Sequence, residues 1–245
     1  MAGATRIGIL TSGGDAPGMN PAIRAAVRAA TGKNITCIGI RRGYQGLIHA
    51  DVMEMNARSV NGIIHRGGTI LYTARSEDFM TEAGQHRAAQ TCRYLGLDAV
   101  ICIGGDGTFR GATDLSLRGI PTIGVTGSID NDVTATDYTV GFDTAMNTVV
   151  EAVDRLRDTC QSHARCNVVE VMGRDCGEIA LKTGIASGAV AIAIPEVPFD
   201  EDAAIERIIA AKESGKRSMI VIVSEGVFTA DGKPYGEVLR KVIQD

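Results

Sequence analysis

The feature that most constrains the fold is a regular alternation of short apolar runs with segments of helical periodicity. In the first half of the chain, the runs RIGILTS, ITCIGI, DAVICIG and PTIGVT are interleaved with helix-like segments at 18–31, 83–96 and 107–117. Apolar runs of strand length that alternate with amphipathic helices are typical of a parallel sheet with helices on both faces. The sequence therefore predicts an α/β fold.

A second series of the same kind begins with a long helical segment at about 144–158. Its apolar stripe includes Met146, Val149 and Val153, and the runs CNVVEVM, AVAIAI and SMIVIVS follow it. We therefore expect two Rossmann-like, three-layer domains with mostly parallel sheets, at 1–141 and 142–245, and an active site in the crevice between them. In sheets of this kind, ligands bind beyond the carboxyl ends of the strands, so the loops that follow the strands carry the functional prediction.

Composition narrows the class of partner. The 245 residues carry a net charge of −4 and are 44% hydrophobic, without a run of lysines and arginines. A nucleic-acid footprint is therefore absent, and the partner is expected to be a small molecule. The six cysteines show no CxxC pairing, and no apolar run is long enough for a membrane helix or a signal peptide. These features predict a reduced cytoplasmic protein that binds neither nucleic acid nor membrane.

The first strand-end loop, TSGGDAPGMN at 11–20, predicts a phosphate site. Gly13, Gly14 and Gly18 permit backbone conformations that other residues avoid, and a helix begins directly after them. Free N–H groups and the helix dipole at such a terminus attract phosphate. The alternative is a glycine-rich turn that only lets the helix pack closely.

The second strand-end loop, IGGDGTFRGA at 103–112, is neither a dinucleotide fingerprint nor a P-loop. Its distinctive residue is Asp106, which has a glycine on each side directly after a strand. A carboxylate in this place, with phosphates on neighbouring amides, is suited to bind Mg²⁺. A simple Asx turn is the alternative interpretation.

The third loop, GVTGSIDND at 124–132, places Asp130 and Asp132 on either side of an asparagine. Two close carboxylates repel, which raises the proton affinity of one of them and suits it to act as a base. Together the three loops supply a phosphate cradle, a cation ligand and a proton acceptor, which are the parts that phosphoryl transfer needs. The alternative is that both aspartates serve as turn formers or helix caps.

The stretches LTSGGDAPGMN, IGGDGT, GSIDND and VVEVMGR resemble the ATP-dependent 6-phosphofructokinase family of the bacterial type, in the same order, from Arg6 to the end of the chain. The resemblance implies transfer of the γ-phosphoryl of ATP to the 1-hydroxyl of fructose 6-phosphate, with Mg²⁺, by a homotetramer whose active sites lie between subunits. It also implies an ATP- and Mg²⁺-binding domain at 1–141 and a sugar-phosphate domain at 142–245.

The resemblance assigns roles to individual residues. Asp130 resembles the general base, Asp132 the carboxylate that binds the sugar and tunes the base, and Asp106 the Mg²⁺ ligand. Arg174 and Arg75 resemble the guanidinium groups that meet the transferring phosphate, and Ser128 keeps a hydroxyl where threonine is usual. The implied nucleotide positions are Gly13, Tyr44, Arg75, Gly107 and Gly111. The implied sugar-phosphate positions are Ser128, Asp130, Asp132, Arg165, Met172, Gly173, Arg174 and Glu225.

The phosphoryl donor can be argued from two glycines. Members that use pyrophosphate resemble this chain but carry an aspartate at the position of Gly107 and a lysine at that of Gly127. A carboxylate at 107 would occupy the space of the nucleotide α-phosphate, and like charges repel there. Gly107 and Gly127 therefore favour ATP, with a pyrophosphate-dependent enzyme as the alternative.

The chain also departs from the family pattern. At the family's effector site, Arg24, Arg28, Arg157 and Lys216 match the usual cations, but Ala57, Val190 and Ser214 replace three other residues. Family members continue into a further segment that holds the sugar phosphate and returns to the first domain. The sequence therefore predicts either a fragment of a longer enzyme or a short form with an incomplete sugar pocket. A non-catalytic nucleotide-binding or regulatory protein on the same scaffold is the alternative function.

Overall fold

The computed structural model describes residues 4–134, 136–229 and 231–244, with side chains of the last helix described as far as Leu239. The chain divides into two compact units, Met1–Ser128 with Val133–Gly141, and Ile129–Asp132 with Phe142–Asp245. The short segment 129–132, which contains both aspartates of the third loop, therefore belongs with the second unit. The predicted α/β class is confirmed in both units.

The first unit is built on a six-stranded sheet with the order β3-β2-β1-β4-β5-β6. Its strands are β1 Arg6–Thr11, β2 Thr36–Ile40, β3 Val52–Met55, β4 Ala99–Gly104, β5 Thr122–Ser128 and β6 Val140–Gly141. Its helices are α1 Met19–Thr31, α2 Gly43–Ile48, α3 Glu82–Tyr94 and α4 Asp106–Leu117. Strands β1, β2, β4, β5 and β6 pair in parallel, as the alternation predicts, whereas β3 pairs antiparallel to β2.

Close packing beneath the sheet explains one glycine in β2. A Cβ atom at Gly39 would lie 2.8 Å from Leu71 Cδ2 and closer still to Met55 on β3. Real Cβ atoms do not approach neighbours so closely, so glycine at 39 lets the antiparallel edge strand and the segment after it pack on β2.

The second unit is a three-stranded parallel sheet with the order β7-β9-β8. Its strands are β7 Cys166–Val171, β8 Ala191–Ala193 and β9 Met219–Ser224, and its helices are α5 Phe142–His163, α6 Glu178–Ser187, α7 Glu201–Glu213 and α8 Tyr235–Gln244. The central strand β9 is buried along its whole length, as expected for a strand covered by helices on both faces.

Alternate residues of β9 divide the core of the second unit into two layers. Ile220 and Ile222 pack with Phe142, Val153 and other residues of α5 and α6. Val221 and Val223 pack on the opposite face, in a cluster that includes Ala204 of α7 and Leu239 of α8. This period of two along an apolar strand produces a three-layer arrangement. Among the described residues, no helix is long and apolar enough to cross a membrane.

Candidate active site

The glycine-rich loop after β1 lies against the beginning of α4. The Ser12 N–H donates to the Ile103 carbonyl at 3.1 Å, and the Thr108 hydroxyl donates to the Ser12 carbonyl at 2.9 Å. Gly13 has a φ of 85°, which favours glycine, and in the described part of the chain a Cβ at Gly14 would meet no atom within 4 Å. Packing against the described residues therefore does not explain the glycine at 14.

Gly18, in the same loop, has a different explanation. Its φ is 95°, and a Cβ there would lie 2.6 Å from Val140 Cγ1. Close packing, the alternative considered for the whole loop, thus applies to Gly18 and does not account for Gly14.

Asp106 is the first residue of α4, and its side chain is exposed. Its Oδ2 lies 2.8 Å from Nη2 of Arg110, one helical turn later. An exposed pair of this kind stabilises the fold little, so the carboxylate can exchange this partner for a ligand. The next residue, Gly107, faces open space among the described residues, because a Cβ there would meet none of their atoms within 4 Å.

Tyr44 supports α4 from within the core. Its hydroxyl donates to the Thr108 carbonyl at 2.6 Å, and its ring stacks on Phe79 with centroids 4.2 Å apart. Burial raises the pKa of this phenol far above its ordinary value, so it stays protonated. Since the side chain is only 5% exposed, any part it plays at a nucleotide site acts through the position of α4.

Gly111 is the partner of Tyr44 on α4. A Cβ there would lie 2.6 Å from Tyr44 Cε2 and 2.7 Å from Cζ. Glycine at 111 therefore leaves room for the buried ring.

We expect Gly111→Ala to lower the free energy of unfolding by about 1–3 kcal/mol, the usual cost of overpacking, as measured by urea denaturation. Gly67→Ala has open space and an ordinary φ, so it should change the free energy of unfolding by less than about 1 kcal/mol. Equal stability of the Gly111 and Gly67 variants would contradict this packing argument.

Arg75 lies exposed in a long irregular segment between β3 and α3. Asn20, the last residue of the glycine-rich motif, fastens this segment: its amide donates to the Arg66 and Gly67 carbonyls and accepts from the Ile70 N–H at 2.7 Å. The Thr11 hydroxyl donates to the Tyr72 carbonyl at 2.9 Å. In the sequence, only its place in the glycine-rich motif points to Asn20.

In the second unit, Asp130 has an unusual electrostatic environment. It is half-buried, and burial raises the pKa of its carboxyl above the ordinary value. The charges of Asp132 and Glu225 raise this pKa further, whereas the charge of Arg174 lowers it. Four residues from the sequence-based prediction thus act on one another at one place, and the balance favours a carboxylate that accepts protons more readily than usual.

The loop after β7 carries Met172, Gly173 and Arg174. Oε1 of Glu225, which follows β9, accepts hydrogen bonds from the Gly173 N–H at 3.1 Å and the Arg174 N–H at 2.8 Å. The backbone is left-handed at both residues, with φ of 145° at Gly173 and 54° at Arg174. The Arg174 side chain is 79% exposed and lies 3.7 Å from Asp175. Glu225 therefore shapes the loop that presents a solvent-accessible guanidinium.

The remaining predicted positions lie as follows. Ser128 ends β5 in the first unit, where its carbonyl accepts a hydrogen bond from Thr139 at 2.7 Å. Arg165 is exposed just before β7, and Met172 is 62% exposed directly after it. Of the four implied effector residues, Arg24 and Arg28 lie on α1 of the first unit. Arg157 and Lys216 lie in the second unit, where Arg157 is 3.7 Å from Asp154.

Comparison with known proteins identifies the family. The phosphofructokinase family model matches residues 6–245. The chain is 54% identical over 236 residues to the ATP-dependent 6-phosphofructokinase of Brevibacillus brevis, and 52% identical over 239 residues to that of Clostridium novyi. These alignments cover 96% and 98% of the chain. The chain belongs to the phosphofructokinase family.

Solved structures agree with this result. The phosphofructokinase of Saccharomyces cerevisiae has a TM-score of 0.90 and 34% identity over 98% of the chain. A pyrophosphate-dependent phosphofructokinase from Marinobacter aquaeolei has a TM-score of 0.85 at 21% identity, which shows a shared fold. The chain spans 73% of each of the two bacterial relatives and 36% of the yeast protein.

Proposed function

We propose that this protein transfers the γ-phosphoryl of ATP to the 1-hydroxyl of fructose 6-phosphate, giving fructose 1,6-bisphosphate. The observation that carries the proposal is Asp130, whose pKa is raised by burial and by two neighbouring carboxylates, beside the exposed guanidinium of Arg174. A base for a sugar hydroxyl and a cation for the moving phosphoryl are the two groups that this reaction needs from the protein. The bacterial relatives that bear the name ATP-dependent 6-phosphofructokinase support the same activity.

The residues have distinct parts in this proposal. Asp130 accepts the proton of the attacking hydroxyl, and Asp132 and Glu225 keep its affinity for that proton high. Arg174 and Arg75 compensate the negative charge of the transferring group, which is spread over its oxygens in a loose transition state. Asp132, Arg165 and Met172 bind the sugar phosphate together with the Ser128 hydroxyl. Gly13, Gly107 and Gly111 lie on the nucleotide side.

Mg²⁺ is the cation that we propose for the nucleotide side. In the described part of the chain, no group of three His, Cys, Asp or Glu side chains could hold a metal ion. Mg²⁺ usually needs fewer, because it is bound through one or two carboxylates together with substrate phosphates and water. The exposed Asp106 carboxylate fits this demand. The bound ion would neutralise charge on the phosphates.

We also propose a homotetramer in the cytoplasm. The tetramer follows from the family resemblance, in which neighbouring subunits complete each active site. The cytoplasmic location is supported by the free cysteines, which suit a reducing compartment.

The direct test is to incubate the purified protein with Mg·ATP and fructose 6-phosphate and follow the products by ³¹P NMR. Formation of fructose 1,6-bisphosphate and ADP supports the proposal. Isothermal titration with each substrate separately distinguishes the non-catalytic alternative, for which we expect nucleotide binding without turnover. Turnover with pyrophosphate in place of ATP would favour the other alternative.

The raised pKa of Asp130 makes a prediction about pH. The base acts only when it is deprotonated, so kcat/KM should rise with pH through the pKa of Asp130. Because the Asp132 charge raises this pKa, Asp132→Asn should lower it and move the rising limb of the profile to lower pH. The position of the limb is the readout, since a weaker KM for the sugar would lower the whole profile without moving it.

The matched control is Glu206→Gln, which removes an equal charge from the exposed face of α7. The rising limb of its pH profile should coincide with that of the parent. A limb that does not move, or moves to higher pH, in Asp132→Asn would contradict the assignment of Asp130 as the titrating base.

A further inference from the structure

The segment 173–177, which we call the Arg174 loop, is held by its own backbone N–H groups. Those of Gly173 and Arg174 donate to Glu225 Oε1, and that of Cys176 donates to the Gly173 carbonyl at 2.9 Å. The Gly177 N–H donates at 2.7 Å to Oε1 of Glu196. Carboxylates from two other parts of the second unit thus hold the two ends of this loop.

Glu196 comes from the connection between β8 and α7, outside every stretch that carries the family resemblance. Its contact with the loop is close: a Cβ at Gly177 would lie 2.5 Å from Glu196 Oε2 and 2.5 Å from Ile194 Cβ. Position 177 therefore requires glycine for Glu196 to reach the backbone. Hydrogen bonds to an ionised carboxylate are among the stronger ones in proteins.

The loop needs such anchors because its conformation is strained. Arg174 has a left-handed φ of 54°, and its carbonyl packs so closely on Gly226 that a Cβ there would overlap it. Backbone in sparsely populated regions persists only when its surroundings over-determine it. Burial raises the pKa of the Cys176 thiol in this loop, and the charges of Glu196, Glu178 and Asp132 raise it further.

We propose that Glu196 is a positioning residue for phosphoryl transfer: by anchoring Gly177 it fixes the Arg174 loop, and with it the place of the Arg174 guanidinium. Glu196 itself contacts neither substrate. The inference rests on the proposed function in its catalytic part, whereas the anchoring of the loop can be tested without any substrate.

Three variants of Glu196 distinguish the effect of its side-chain length from the effect of its charge. Glu196→Ala removes the acceptor, Glu196→Gln keeps an oxygen acceptor without the charge, and Glu196→Asp keeps the charge on a shorter side chain. The matched control is Glu178→Ala, which removes a carboxylate from the same end of α6, where it pairs with Lys182 at 3.2 Å. Hydrogen exchange of the peptide that covers 173–177 reports on the loop.

We expect Glu196→Ala and Glu196→Asp to speed hydrogen exchange in the loop, and to lower kcat/KM for fructose 6-phosphate by about 10- to 100-fold, as is usual when a supporting group is removed. The KM for ATP should stay within about twofold of the parent. Glu196→Gln should recover most of the loss, because its amide oxygen can accept the same hydrogen bond. Glu178→Ala should match the parent in every readout.

Unchanged hydrogen exchange in Glu196→Ala would overturn the inference, as would a Glu196→Gln variant that is as impaired as Glu196→Ala. If Glu196→Ala does not fold, Glu196→Asp against Glu196→Gln decides the same question. A parent that binds substrates without turnover would overturn the proposed function alone. The exchange measurement would still decide whether Glu196 anchors the loop.

Discussion

Asp130→Asn should lower kcat by about 10²-fold or more, the usual contribution of a general base. The asparagine has the same shape and cannot accept the hydroxyl proton, so the substrates remain bound while the chemical step slows. Binding of Mg·ATP should change by less than about twofold, because the predicted nucleotide positions belong to the first unit and Asp130 to the second. Single-turnover kinetics and isothermal titration measure the two effects separately.

Asp143→Asn is the matched control for this prediction. Asp143 is an exposed carboxylate in the first turn of α5, and it has no part in the proposed mechanism. Its removal changes the net charge equally and should leave kcat within about twofold of the parent. A kcat for Asp130→Asn within threefold of the parent would remove Asp130 from the role of base.

The central strands of both sheets are the most predictable part of this fold. Runs such as MIVIV and AVICIG are continuously apolar because each strand is covered on both faces, and this leaves a signal in the sequence itself. The edge elements α2 and β3 leave no such signal. They lie in a short mixed stretch, GYQGLIHADVMEM, where the antiparallel pairing with β2 is decided by contacts such as that of Met55 with Gly39.

The candidate site also contains residues that the sequence predicts and residues that it does not. Asp106, Asp130 and Arg174 are predictable because each follows an apolar strand, where ligands of α/β sheets are expected. Backbone anchors are not predictable by this rule. Glu196 is 19 residues from the N–H that it accepts, and Asn20 is 50 residues from the Ile70 N–H. Only the fold brings such partners together.

The two glycines of α4 show most clearly what the sequence alone cannot predict. In the sequence, Gly107 and Gly111 are alike, one turn apart on α4, and the resemblance places both at the nucleotide. In the structure, glycine at 111 leaves room for the Tyr44 ring, whereas a Cβ at Gly107 would meet no atom of the described residues within 4 Å. A substitution at 107 therefore tests ligand binding and not the packing of the protein.

Gly107→Asp should weaken the binding of ATP by about a thousandfold. If position 107 borders the nucleotide α-phosphate, two unit charges about 4 Å apart repel by roughly 4 kcal/mol at an effective dielectric constant near 20, and about 1.4 kcal/mol corresponds to a tenfold change in affinity. Pyrophosphate has no α-phosphate of this kind, so its binding should weaken far less. Competition titrations with both donors provide the measurement.

Gly107→Asn is the matched control, because it adds a side chain of the same size without the charge. Since position 107 faces open space, both variants should fold, and their free energies of unfolding should differ from that of the parent by no more than about 1 kcal/mol. The loss of ATP affinity should then be much larger for aspartate than for asparagine. It should also decrease as salt is added, because partly exposed charges are screened. Equal loss in the two variants, or equal loss for ATP and pyrophosphate, would mean that position 107 excludes ligands by size alone and does not border the α-phosphate.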